Sequence, residues 1–269
     1  MPELPEVETT RRGLLPHLTG RRISKVVVRN ARLRWPVSEE LAARSAGQPI
    51  LSLDRRAKYL LLRLPDGNII LHLGMSGSLR MVNAEEPAGA HDHVDFVLDN
   101  ATAVRLRDPR RFGAALWQTG NTDTHPLLTG LGPEPLDGDL ASTLWQISRS
   151  RASIKTVLMD SRRIAGIGNI YANESLYLAG ISPWRQASLL DHDDCEKLAS
   201  SIRSTLERAI AAGGSTLRDF VNADSKPGYF QQTYAVYGRT GLACPTCGES
   251  IRQERLLQRS TFWCMKCQK

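Results

Sequence analysis

No stretch of the chain approaches the roughly 18 uninterrupted apolar residues that a membrane span needs, so no spanning helix is expected. Internal repeats and low-complexity tracts are absent, which excludes solenoid and fibrous architectures. Cysteine is scarce: there are five, four of them within the last 26 residues. A secreted scaffold stapled by disulfides would need more of them, so a reducing, intracellular compartment with a metal site fits better. The first residues, Met1-Pro2-Glu3-Leu4-Pro5-Glu6, are acidic and broken by proline, and no signal peptide is expected. With 41% hydrophobic and 23% charged residues, the chain is an ordinary globular one. Its 269 residues predict two domains at about 150 residues each.

What the chain does have is positive charge. There are 35 Lys and Arg against 28 Asp and Glu, a net charge of +7. The excess is clustered: Arg11 to Arg34 holds eight basic residues and no acid, and Arg149 to Arg163 holds five against Asp160. Arg239 to Lys269 holds six against Glu249 and Glu254. Three separated basic segments are the footprint of a polyanion binder. Solvated surface charge would give the same pattern, so the chemistry has to come from elsewhere.

Pro5 to Leu15 reads as a short helix, with proline in its first turn and Glu6 and Glu8 at its positive end. Strands follow over 23–29, 50–54 and 58–64; a Pro65-Asp66-Gly67-Asn68 turn then returns the chain over 69–73. Val94, Phe96 and Leu98 alternate with polar residues, as do Val104 and Leu106. This predicts a two-sheet N-terminal β-sandwich. The Pro/Gly-rich run 131–138 marks a linker. Beyond it, Cys195, Leu198, Ala199, Ile202, Leu206, Ala209 and Ile210 share one stripe of a helix over 193–212. Asp193 and Glu196 are expected to cap that helix, and Cys195 to be core rather than a reactive thiol. Residues 213–237 read as a long loop.

Cys244-Pro-Thr-Cys247 and Cys264-Met-Lys-Cys267 lie 16 residues apart. Each pair can form a knuckle, with a hairpin between, so four thiolates close a tetrahedron around one structural zinc. Two disulfides or unrelated thiols are the competing readings. The hairpin carries Arg252, Arg255 and Arg259.

Pro2-Glu3-Leu4-Pro5-Glu6-Val7-Glu8 resembles the start of formamidopyrimidine-DNA glycosylases. The resemblance runs the whole chain: Arg56-Ala57-Lys58-Tyr59, His72-Leu73-Gly74-Met75-Ser76-Gly77, Asp108-Pro109-Arg110-Arg111-Phe112-Gly113, Gly166-Ile167-Gly168-Asn169-Ile170-Tyr171-Ala172, Lys226-Pro227-Gly228-Tyr229-Phe230 and the four cysteines. It implies an α+β multidomain fold. An N-terminal β-sandwich with an N-terminal helix would span 1–130, then the linker, a helix-two-turn-helix domain with a lesion-covering loop over 139–237, and a zinc ribbon finger over 238–269.

The implied function is a bifunctional glycosylase/AP lyase of base excision repair that excises oxidised purines. An endonuclease VIII-like enzyme for oxidised pyrimidines and a non-catalytic zinc-ribbon DNA binder are the alternatives. If Met1 is removed, Pro2 becomes a secondary amine with a pKa near 8, able to attack the sugar C1′ and hold an iminium. Glu3 is the implied proton donor, and Glu6 a residue that places a water. Lys58 and Arg259 are implied in catalysis or phosphate grip. A base must leave the helix before it can be excised, and the gap must be filled. Met75, Phe112 and Arg110 are the implied wedge. Asn169, Arg151 and His91 are the implied DNA contacts, and Cys244, Cys247, Cys264 and Cys267 the zinc ligands. The implied partner is damaged double-stranded DNA, bound by a cytoplasmic monomer.

Overall fold

The computed structural model describes residues 1–214 and 234–269. The expected loop over 213–237, including Lys226 to Phe230, falls mostly outside them.

Met1–Thr129 form one compact unit, joined by 212–214. Helix α1 (Leu4–Leu18) opens it. The helix runs three residues past the expected end, through Pro16, because Leu18 is buried and Thr19 caps the Leu15 carbonyl with both its N–H and its hydroxyl. Eight strands follow: β1 (Ile23–Val28), β2 (Ser52–Arg56), β3 (Tyr59–Leu64), β4 (Gly67–His72), β5 (Ser78–Asn83), β6 (Asp92–Leu98), β7 (Thr102–Arg107) and β8 (Ala114–Gln118), with the short helix α2 (Glu39–Ser45) after β1. They form two antiparallel four-stranded sheets, ordered β1-β6-β7-β5 and β2-β3-β4-β8.

The period-2 alternation of Val94, Phe96 and Leu98 meets Leu60, Leu62, Ile69 and Leu71 from the other sheet, and Leu14 and Leu18 of α1 join them. Among the described residues, 22 buried hydrophobics make up this one core. Each contributes about 1.5–3 kcal/mol when fully buried, which makes burial the main support of the sandwich. On the sheet β1-β6-β7-β5, fully buried Arg105 is held bidentately by Asp95 at 2.9 and 2.8 Å and donates to the Glu86 and Pro87 carbonyls.

Gly130–Ala211 and the described residues from 234 onward form the second unit. Its helices are α3 (Leu140–Ile147), α4 (Ile154–Met159), α5 (Asn169–Leu178) and α6 (His192–Ala211). The hydrophobic stripe of α6 is buried, Cys195 included, and burial among Asp194 and Asp191 pushes that thiol up to about 11, as suits a core residue. The cap differs from expectation. Asp191 accepts from the Asp194 N–H at 2.8 Å and Asp194 accepts from the Asp191 N–H at 3.3 Å, so the reciprocal box sits two residues earlier than Asp193 and Glu196. Arg185 reaches Asp194 at 2.6 Å and fixes that choice. Strands β9 (Arg252–Leu256) and β10 (Arg259–Trp263) make a hairpin with a two-residue turn. No described helix is long and apolar enough to cross a membrane.

Candidate active site

In the first unit the site starts at the N-terminus of α1. Glu3 is the N-cap. Its N–H donates to Glu6 Oε2 at 2.8 Å, and its carboxylate accepts from the Glu6 N–H. Both carboxylates are buried, at 4% and 0% exposure, where the helix dipole favours negative charge. Pro2 is buried beside them, and the amine of this end belongs to Met1. Burial lowers the pKa of that amine; Glu3 and Glu6 oppose the shift, while Lys58 and Arg110 assist it. The field of two carboxylates and two cations therefore acts on the amine of residue 1. Glu8, one turn on, faces the other way. Burial pushes it up, but Arg11 and Arg12 hydrogen bonds and the Arg55 charge overcome this and hold it below the usual carboxylate range.

Contrary to expectation, Lys58 does not open a strand. Arg56 pairs with Tyr59, so Ala57 and Lys58 are the two-residue turn between β2 and β3, with Ala57 at a positive φ of 52°. From this turn the Lys58 charge acts on the amine of residue 1 and on His72, the last residue of β4. His72 is a site residue the sequence reading quoted but did not assign. Its ring is buried between Tyr59 and Trp35, and burial, helped by Lys58 and Arg34, lowers its pKa to about 4. Its Nδ1 accepts the Gly74 N–H at 3.1 Å, which assigns the neutral ring's proton to Nε2.

Met75 sits in a turn closed by the Gly77 N–H donating to the Leu73 carbonyl at 2.8 Å. A Cβ on Gly77 would lie 2.3 Å from that carbonyl oxygen, and one on Gly74 would lie 2.5 Å from the Phe112 carbonyl carbon. Only glycine lets the two loops abut. Met75 and Phe112 are exposed at 37% and 41%, against the usual fate of such side chains, and the Arg110 guanidinium lies 4.8 Å above the Phe112 ring. His91 is exposed on the loop before β6, and its carbonyl accepts the Asp108 N–H at 2.9 Å.

In the second unit, Asn169 is the first residue of α5, after the extended Gly168 cap. Its Nδ2 donates to the Ser260 carbonyl at 2.9 Å; Lys155 Nζ donates to the same oxygen at 3.0 Å and to Thr261 Oγ1 at 2.7 Å. Asn169 and buried Lys155 thus grip the hairpin one residue after Arg259, and an open cavity of about 370 Å³ is lined by Lys155, Met159, Asp160, Leu257 and Arg259. Arg151 is exposed in the turn before α4. Asn173 Oδ1 accepts the Phe262 N–H at 2.8 Å, and Glu174 accepts the N–H groups of Ala235, Val236 and Tyr237. Sequence reasoning missed Lys155, Asn173, Glu174 and Tyr177. The signal was present: Asn169, Asn173 and Tyr177 recur every four residues, a polar stripe along one face of α5.

The four cysteine sulfurs lie within 4.8 Å of one another. Cys244 and Cys267 are 3.8 Å apart, and Cys247 and Cys264 are 3.4 Å apart. Disulfides would need about 2.05 Å, whereas a tetrahedron with Zn–S bonds of about 2.3 Å has edges near 3.8 Å. The donor set suits one zinc ion and leaves no open ligand position. Tyr177 Oη lies 3.2 Å from Cys244 Sγ, the kind of outer partner that steadies a thiolate ligand.

Three family models match the chain: the formamidopyrimidine-DNA glycosylase N-terminal domain over residues 1–115, the H2TH domain of the same enzymes over 131–221, and a zinc finger found in FPG and IleRS over 241–269. A formamidopyrimidine-DNA glycosylase of Laribacter hongkongensis is 56% identical over 272 residues, covering 100% of both chains. The crystal structure of MutM (FPG) from Thermus thermophilus aligns with a TM-score of 0.89 at 38% identity, over 99% of this chain and 98% of that one. A complex of Lactococcus lactis Fpg with DNA containing an abasic site aligns with a TM-score of 0.90 at 33% identity, over 99% of each.

Proposed function

The chain belongs to the formamidopyrimidine-DNA glycosylase family, and from that premise we propose that it excises oxidised purines from double-stranded DNA and then cuts the strand as an AP lyase. The observation that carries this reading is the pair of buried carboxylates, Glu3 and Glu6, boxed together at the start of α1 next to the chain's amino end. Removal of Met1 transfers the amine to buried Pro2, directly before Glu3.

An N-terminal amine has a pKa near 8, so a neutral fraction of the Pro2 nitrogen is present at physiological pH and its lone pair attacks C1′. The C1′–N bond breaks, its electrons leave with the base, and Glu3 supplies the proton that neutralises the leaving group or the opening sugar oxygen. The resulting iminium is cationic and withdraws electrons from C2′. Loss of a C2′ proton expels the 3′ phosphate; a second elimination expels the 5′ phosphate and leaves a one-nucleoside gap. Glu6 orders a water, and Lys58 holds a phosphate near the sugar.

Met75 and Phe112 replace the stacking of the extruded base, and Arg110 hydrogen-bonds the widowed partner. Arg259, Asn169, Arg151 and His91 hold phosphates, where guanidinium forks and exposed amides fit best. The zinc is structural: Cys244, Cys247, Cys264 and Cys267 would hold it, and it keeps the Arg259 hairpin folded. The protein acts as a cytoplasmic monomer on damaged DNA. The names of the relatives do not favour oxidised pyrimidines as substrate.

The test is borohydride trapping on an 8-oxoguanine duplex, with peptide mapping of the adduct. The adduct is expected on Pro2, with none formed by protein that retains Met1. An adduct mapped to a lysine would overturn the assignment.

A further inference from the structure

Three loops meet at one buried side chain. Asp108 is 0% exposed. Its Oδ2 accepts the Gly113 N–H at 2.7 Å, and its Oδ1 faces Ser76 Oγ at 3.4 Å. Its own N–H donates to the His91 carbonyl at 2.9 Å, and its carbonyl accepts from buried His93 Nε2 at 2.8 Å and from the Arg111 N–H at 3.2 Å. Ser76 neighbours Met75; Gly113 neighbours Phe112. A Cβ on Gly113 would lie 2.6 Å from the His72 carbonyl oxygen and 3.0 Å from Asp108 Oδ2, so the contact is closed on both sides. The His72 ring ties the same pair of loops through the Gly74 N–H and the Phe112 backbone. Between them Arg111 is held at a positive φ of 56°, a conformation that an arginine keeps only when its surroundings impose it.

We propose that Asp108 is a positioning residue that locks the Met75 turn and the Arg110–Phe112 loop into one unyielding wedge. The inference rests on the glycosylase reading. Two exposed side chains on independently mobile loops would fold back when pushed between stacked bases. On a common buried carboxylate they enter together, at a fixed spacing, with Arg110 already laid over Phe112. Asp108 touches neither base nor sugar in this scheme; it acts through the loops.

A wedge matters only where stacked DNA must be opened. The experiment therefore compares single-turnover excision of 8-oxoguanine from a duplex with cleavage at an abasic site in a single strand. Asp108→Ala removes both acceptors and strands the Gly113 N–H. The duplex-to-single-strand rate ratio is expected to fall about 100-fold, in line with the cost of misplacing groups by an ångström. Asp108→Asn, which keeps an acceptor for Gly113, recovers most of the ratio. Ser76→Ala, which removes only the weaker bond, lowers it about threefold. A fluorescent base analogue beside the lesion loses its unstacking signal in the same order.

Equal losses on both DNAs would overturn the proposal, as would an unchanged ratio in Asp108→Ala. If Asp108→Ala does not fold, an unchanged ratio in Ser76→Ala overturns it. Failure of the unsubstituted protein to form any trapped adduct would instead overturn the glycosylase reading itself.

Discussion

The sandwich and the finger solve the same problem with opposite means. The sandwich gathers 22 buried hydrophobics, among the described residues, into one core. The finger's own cluster has five, Val236, Cys244, Ile251, Phe262 and Cys264, and two of those are cysteines of the metal set. So small a core does not offset the entropy of ordering its chain, and the missing stability has to come from the ion. The sandwich carries charges inside, with Arg105 paired to Asp95; the finger leaves Arg252, Arg255 and Arg259 in solvent. Burial suits the part that must be rigid for chemistry, and metal suits the part that must show charge at little cost in apolar surface.

The contrast can be broken most forcefully by chelation. Structural zinc contributes about 10–16 kcal/mol in modules of this kind, so its removal is expected to unfold the hairpin β9–β10 and leave β6–β7 intact. Amide hydrogen exchange checks this: protection should vanish from 252–263 and persist over 92–107. Persistence in both would show that the finger does not depend on metal.

A second effect falls on the other side. Phe96→Ala, at a position 1% exposed in the middle of the sandwich, should cost about 3–5 kcal/mol by transfer and cavity terms. Calorimetry should show a lower melting temperature with zinc content unchanged, and loss of bound zinc in step with melting would blur the distinction.

The smallest expected effect is a pH dependence confined to the sandwich. Because His72 is held near 4 by burial, Lys58 and Arg34, the unfolded chain binds a proton there below about pH 6.5 while the folded one does not. Its contribution is intact above 6.5 and is lost as pH falls toward 4, by about 3 kcal/mol at most. Denaturant midpoints should drop over that window in the unsubstituted protein and drop less in His72→Asn.

The parts of the molecule legible in the sequence were those with a strict local rule. Alternation at Val94, Phe96 and Leu98 marked a strand, the stripe from Cys195 to Ile210 marked α6, and two C-x-x-C pairs marked the metal site. What escaped depended on contacts distant in sequence. Lys155 reads as one more basic residue until Ser260 and Thr261, over 100 positions away, surround its ammonium. His72 reads as the end of a strand until Trp35 and Tyr59 enclose it. The α6 cap moved because Arg185, outside any local capping pattern, pairs with Asp194 rather than leaving it to solvent. Glu3, Glu6, Lys58 and Arg110 came from resemblance, since no spacing rule links Lys58 and Arg110 to residue 1.

The clearances at Gly74 and Gly77 carry a lesson for anyone who would redesign the Met75 turn. A library at Met75 samples chemistry at the tip of a turn and should yield many folded members. The same library extended one position back or two forward would yield few, because any side chain there meets main chain that has nowhere to go. Diversity belongs at the crest of the loop, and its two hinges are best left as nature drew them.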